Sequence, residues 1–166
     1  MIILDKLGSQ VTAWHDSSLE VAGGPPVAAA AADQFSEQPL WHWIASNHHF
    51  NSSLWTEEDL ARRLKVSDSE ITANKRAIDR FNQARNDATE RIDEILLIEL
   101  GLVDIGSAST DTPVSLVAAS ASLNSETAGS IIDRMSIMAL KVHAMRWQTC
   151  RCRCCWMWTA VTWPRC

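Results

Sequence analysis

The chain has 166 residues, 46% of them hydrophobic and 21% charged, which is the composition of an ordinary globular protein with one core. Asp and Glu number 20 against 15 Lys and Arg, giving a net charge of -5 with no basic block, so nucleic acid is excluded as an expected partner. The opening Met1-Ile2-Ile3-Leu4-Asp5 is acidic where a signal peptide is cationic, and no apolar run approaches the roughly 18 residues of a membrane span. The expectation is a cytoplasmic protein with no membrane association.

In chain order, Ile3, Leu7, Val11 and Trp14 recur at helical spacing and predict a short first helix ending near His15. From Asp16 to Glu37 the composition turns to Ser-Ser, Gly-Gly-Pro-Pro and five consecutive alanines, which suits a surface linker. The first unit is thus residues 1–37, a short helix plus a flexible linker. A second helix begins near Pro39, tolerated in a first turn, and runs continuously to about Leu64. Along one side it carries Leu40, Trp43, Ile44, Asn47, Asn51, Leu54, Trp55, Glu58 and Arg62, so its inner stripe turns from apolar to polar.

The third helix is the clearest: Ser67 or Asp68 caps it with Glu70 close behind, and periodicity runs without Gly or Pro to Leu100, where Gly101 stops it. Its apolar face is Ile71, Ile78, Phe81, Ala88, Ile92 and Leu96, with Lys75, Asp79, Asn82, Asn86 and Asp93 along the edge and Arg85 inside it. A Ser/Ala/Thr-rich stretch follows and holds at most a short helix from Val114 to Ala121. Asn124 or Ser125 then caps a fourth helix with a clean stripe of Ile131, Met135, Met138, Val142 and Met145. Long helices joined by short connections pack antiparallel, so the fold class is all-α, an antiparallel bundle of about four helices with a long central one, over residues 38–146.

Residues 147–166 differ from everything before them. All five cysteines (Cys150, Cys152, Cys154, Cys155, Cys166) and four of the eight tryptophans lie there, with three Arg and no acid. The body has 12 Lys and Arg against 20 Asp and Glu, a balance of -8, while the tail stands at +3. Alternating Cys-Arg-Cys-Arg-Cys-Cys does not supply the two separated cysteine pairs of a zinc site. A shifted reading frame accounts for it more simply: Cys as TGC and Arg as CGC, read one nucleotide earlier, become CTG and CCG, for Leu and Pro. On that reading the tail binds no metal, and part of the fourth helix's apolar stripe is left open to water.

Several ordered motifs carry a family resemblance: His48-x-x-Asn51, Leu54-Trp55-x-x-Glu58-Asp59-x-Ala61-Arg62, Lys75-Arg76-x-Ile78-Asp79-x-x-Asn82-Gln83-x-Arg85-Asn86-Asp87, Glu90-x-Ile92-Asp93, and Glu126-Thr127-x-Gly129-Ser130-Ile131-Ile132-Asp133-Arg134. From about Leu40 to Met145 the chain resembles the bacterial family known as the domain of unknown function 4254. The resemblance implies an all-helical cytoplasmic protein, in a setting that for some members is surface polysaccharide synthesis. Ala128 stands where the family usually has a proline, and the sequence after Met145 departs from the family altogether.

Bulky polar groups on an inward helix face cost free energy unless each finds a partner, so the second and third helices imply an organised polar network. One reading is structural: hydrogen bonds and ion pairs that fix helix register. A second is a site for a small polar or anionic ligand, or a protein partner, built from Asn51, Trp55, Arg62, Lys75, Asp79, Asn82, Arg85, Asn86, Asp133 and Arg134, with Arg62 and Arg85 clamping a carboxylate or phosphate. A third is an enzyme acting on a sugar or phosphate, with His48 and Asp59 or Glu58 as acid and base. Under all three, Asp79, Asn82 and Arg85 are expected to hydrogen-bond to the second helix. A di-iron centre needs Glu-x-x-His on two helices, which the chain lacks, so no metal and no cofactor are implied.

Overall fold

A computed structural model describes residues 4–21, 35, 37–122 and 124–156. It consists of helices α1 (Leu4–Val21), α2 (Pro39–Ala61), α3 (Asp68–Glu99) and α4 (Ala128–Trp156), with one isolated bridge between Val103 and Ser115. The class is all-α with four helices, as the periodicities require.

Local chemistry sets most of the boundaries. Ser67 is extended (φ -72, ψ 153) and closes a capping box on α3: its Oγ accepts from Glu70 N, and the Glu70 carboxylate accepts from Ser67 N. At the other end Gly101 takes φ 65, a conformation that side chains disfavour, and the helix stops there. Pro39 opens α2 where its missing N–H costs nothing. That helix ends at Ala61, short of the expected Leu64, which is 98% exposed and has no apolar surface to hold another turn in place.

Three other expectations are corrected. The first helix does not stop at His15 but continues to Val21, because Leu19 is buried against α4. Residues Val114 to Ala121 form no helix: Asp104 N bonds Val114 O and Leu116 N bonds Leu102 O, so residues 114–116 lie against 102–104, and a turn closed by Ala121 N on Ala118 O follows. The cap of α4 is Thr127, whose Oγ1 accepts from Ser130 N, in place of Asn124 or Ser125. The alanine-rich linker from 22 to 34 and residues 157–166 of the tail lie outside the described residues.

The antiparallel relation holds for α2 and α3, where Asn47 reaches Thr89 and Glu57 reaches Asn74. By contrast α1 and α4 step along α2 in its own direction. His15 stacks on His48 while Leu19 lies with Trp55; Asp133 meets Asn47, and Ala139 and Leu140 lie with Trp55. The segments before α2 and before α4 are long enough to return the chain to the starting end, which permits this parallel arrangement.

Two apolar clusters result. The larger joins Leu7, Val11, Leu40, Ile44, Ile92, Leu96 and Ile132 from all four helices; the smaller joins Leu19, Ala139 and Leu140, with Trp55 against it. Each fully buried aliphatic side chain stabilises the fold by about 1.5–3 kcal/mol relative to exposure. Between the two clusters lies a layer that is not apolar.

Candidate functional site

The intervening layer takes a residue from each helix: His15 of α1, Asn47, His48, Asn51 and Ser52 of α2, Thr89 of α3, and Asp133 and Ser136 of α4. His15, Asn47, His48 and Ser136 are all completely buried. On α2 the buried polar positions fall on one face because 47 and 51 are one turn apart, and 48 and 52 sit beside them. On α4, 133 and 136 are likewise one turn apart.

Gly129 brings α4 to this level. Its N–H donates to Asp93 Oδ1 at 2.7 Å, and a Cβ there would lie 2.5 Å from the Thr89 carbonyl oxygen, so only glycine allows the two backbones this close. One turn later the Asp133 carboxylate enters the layer. Its Oδ1 accepts from Asn47 Nδ2 and Asn51 Nδ2, both at 2.9 Å. Asn47 also donates to Thr89 Oγ1 at 3.3 Å, and Asn51 Nδ2 lies 3.1 Å from Ser136 Oγ and 3.2 Å from Asn47 Oδ1. These bonds tie α2, α3 and α4 into one register.

The histidines are different. His48 Nδ1 is 2.8 Å from Ser136 Oγ, but its Nε2 is buried with no hydrogen-bond partner among the described residues, and neither ring nitrogen of His15 has one there. The serine hydroxyl can donate to His48 Nδ1 or accept from it, according to the tautomer, and Nε2 is left buried and unanswered in either case. The two rings stack with centroids 4.4 Å apart, and the Trp14 ring lies tilted to His15 and T-shaped to His48. Burial drives the His15 pKa down to about 4; burial, then the neighbouring His15 and His49, drive that of His48 down to about 3. Both rings are neutral at pH 7. A buried polar atom left unpaired costs about 1–3 kcal/mol, so three such nitrogens are a large local cost.

The expected site residues divide sharply. His48, Asn51 and Asp133 meet in the layer, and Trp55 packs half-buried against the smaller apolar cluster below it. Glu58, Asp59 and Arg62 pair with one another on the exposed end of α2. Eleven residues of helix separate Asp59 from His48, about 16 Å of rise, too far to act on one proton. Lys75, Asp79 and Asn86 are exposed and Asn82 is half-buried. At about 100° per residue these four fall opposite the buried line of Ala77, Ala88 and Ile92. Arg85 flanks that line and donates to Asn86 at 3.2 Å. Among the described residues no hydrogen bond joins Asp79, Asn82 or Arg85 to α2; alanines and Phe81, packed on Phe50, hold that seam. Arg134 is exposed and paired with Glu126. Neither Arg62 nor Arg85 is placed to clamp an anion in the layer.

His15, Asn47, Thr89 and Ser136 were not among the expected site residues. Asn47 and Asn51 at i, i+4, mirrored by Asp133 and Ser136 at i, i+3, were the available signal. A Ser–His contact can activate a nucleophile. Here Ser136 is sealed, and a ring with a pKa near 3 is a poor base at neutral pH.

The family model described as "Protein of unknown function (DUF4254)" matches residues 41–154. The chain belongs to the DUF4254 family. Neither the curated proteins nor the solved structures give a match. The DUF4254 match takes in Asn47, His48, Asn51, Thr89, Asp133 and Ser136, and leaves out α1 with Trp14 and His15. The matched region therefore supplies the hydrogen-bonded half of the layer, and α1 supplies the second ring of the stacked pair.

Proposed function

We propose that this DUF4254 protein binds a small, uncharged polar molecule in the central layer, among His15, His48, Asn47, Asn51, Asp133 and Ser136, and does no chemistry on it. The observation that carries this reading is the set of three buried, partnerless ring nitrogens. A hydroxyl both donates and accepts, so a polyhydroxylated molecule such as a sugar unit would satisfy two neutral rings at once. Trp14 beside the rings adds an aromatic face of the kind that packs on such molecules. Among the described residues no cation bonds to the layer and Asp133 enters it, so an anion is disfavoured there. A sugar unit also agrees with the surface-polysaccharide setting that the family resemblance implies. His15, Asn47, His48 and Ser136 are wholly buried, so a ligand reaching the two rings would need α1 to move.

A second reading draws on the bonds from Asp133 and Ser136 to Asn47, His48 and Asn51: a network that only fixes register. Imidazole-nitrogen NMR of the full chain, titrated with sugars, polyols and nucleotide sugars, separates the two. A ligand of the layer shifts the ring resonances of both His15 and His48 and raises the melting temperature. If no compound moves either ring, and His15→Leu melts higher than the wild type, the layer is structural and the binding proposal fails.

A further inference from the structure

The apolar stripe with the clearest periodicity in α4 does not face the bundle. Gly129, Ile132, Ser136, Ala139 and Leu140 are buried, while Ile131, Met138 and Met145, seven residues apart, are 40%, 51% and 58% exposed. Met135 and Val142 lie half-buried between them. Gly129 holds the α3 and α4 backbones close, and this sets the inward line of Gly129, Ile132, Ser136, Ala139 and Leu140 and leaves Ile131, Met138 and Met145 on the outside. A stripe about 20 Å long of unbranched and branched aliphatics on a helix surface marks an interaction site.

Charge selects the partner. After Asp133 the chain contains no acidic residue, and exposed Lys141 and Arg146 flank the stripe with no acidic neighbour among the described residues. On α3, which packs beside α4, the exposed residues Asp87, Glu90 and Glu94 share one side with Leu97 and Ile98, at 40% and 38% exposure; Arg91 pairs with Glu94 at 2.6 Å, which leaves Asp87 and Glu90 as the acids of that stretch without an ion pair among the described residues. We propose that two copies of this chain pair about a twofold axis, the outer face of α4 in each packing on the acidic, apolar-ended stripe of α3 in the other. Two α4 faces set against each other would oppose like charges. An anionic membrane would meet the basic stripe but also the net charge of -5 on the rest of the chain. A twofold arrangement uses both surfaces of both copies and closes on itself.

Sedimentation velocity of the full chain in reducing buffer, which keeps the cysteines apart, tests this across a hundredfold concentration range. The expected result is a dimer for the wild type and for Met138→Leu, and at least a tenfold weaker dimer for Met138→Asp and Lys141→Glu, each with unchanged helical circular dichroism. Adding Glu90→Lys to Lys141→Glu should restore dimerisation, because the charges are exchanged and not lost. A monomeric wild type at every concentration overturns the proposal, as does a dimer indifferent to Met138→Asp. Flotation of a monomeric wild type with phosphatidylserine vesicles would assign the face to lipid instead.

Discussion

Two polar regions of this protein look alike in sequence and have opposite physical status. One is the layer of His48, Asn51 and Asp133, the other the charged run of Glu58, Asp59, Arg62, Lys75 and Asp79. In the layer, four side chains are wholly removed from water and joined across helices. In the run, every residue is exposed, and the ion pairs formed stay local, between Arg62 just after α2 and the last turn of that helix. Helical spacing alone does not separate them. Which side of α3 is packed does, and small residues, Ala77 and Ala88, decide that.

The largest consequence of the difference is pH dependence. Free histidine titrates near 6.5, whereas the folded chain holds His15 at about 4 and His48 at about 3. Between pH 6.5 and about 4 the unfolded chain takes up two protons that the folded chain refuses. Stability is therefore complete above pH 6.5 and is lost as pH falls, by about 3 kcal/mol per pH unit for the two rings together. Urea unfolding at pH 7.5 and 5.5 should show this loss. His15→Leu with His48→Leu should flatten it, and an unchanged slope in that double variant would mean the rings are not shielded in solution.

Next in size are the bonds themselves. Asn51→Ala removes a buried donor to Asp133 and Ser136, and should cost about 2–4 kcal/mol. Gly129→Ala should cost a comparable amount, about 2–3 kcal/mol, since the new methyl group meets a backbone carbonyl that cannot turn away. Both are read by the urea midpoint. A Gly129→Ala variant as stable as the wild type would show that α4 is not held as close to α3 as its contacts indicate.

Much of this fold was legible in the sequence, because capping and periodicity are local. The capping box at Ser67, the stop at Gly101 and the proline start of α2 are written in adjacent residues. Of the layer, His48, Asn51 and Asp133 were legible as polar groups on otherwise apolar stripes. His15 was not, because a histidine ending an apolar pattern looks like the end of its helix; Leu19 keeps the helix going, through a contact with α4 that no local pattern records. The facing of α4 was illegible for a related reason. Apolar periodicity identifies a stripe but not what it meets, and the close approach at Gly129 gives the inward place to Ser136 and Ala139.

The smallest expected effects belong to the charged run, and they sharpen the comparison most. Arg85 and Asn86 looked from the sequence like members of a buried network, whose loss would cost about 2–4 kcal/mol. Arg85 is instead only half-buried, and its partner Asn86 is open to water on the same helix. Arg62 is 72% exposed at its side chain, and Asp59, 3.0 Å away, is 60% exposed. Water replaces such contacts at little cost when one partner is removed, and exposed pairs contribute roughly 0–1 kcal/mol. Arg62→Ala, Arg85→Ala and Asn86→Ala should each shift stability by less than about 1 kcal/mol. The Arg62 effect should shrink further in 0.5 M salt, where the Debye length falls to about 4 Å. A loss of several kcal/mol in Arg85→Ala would return that residue to a buried network and erase the distinction between the two regions.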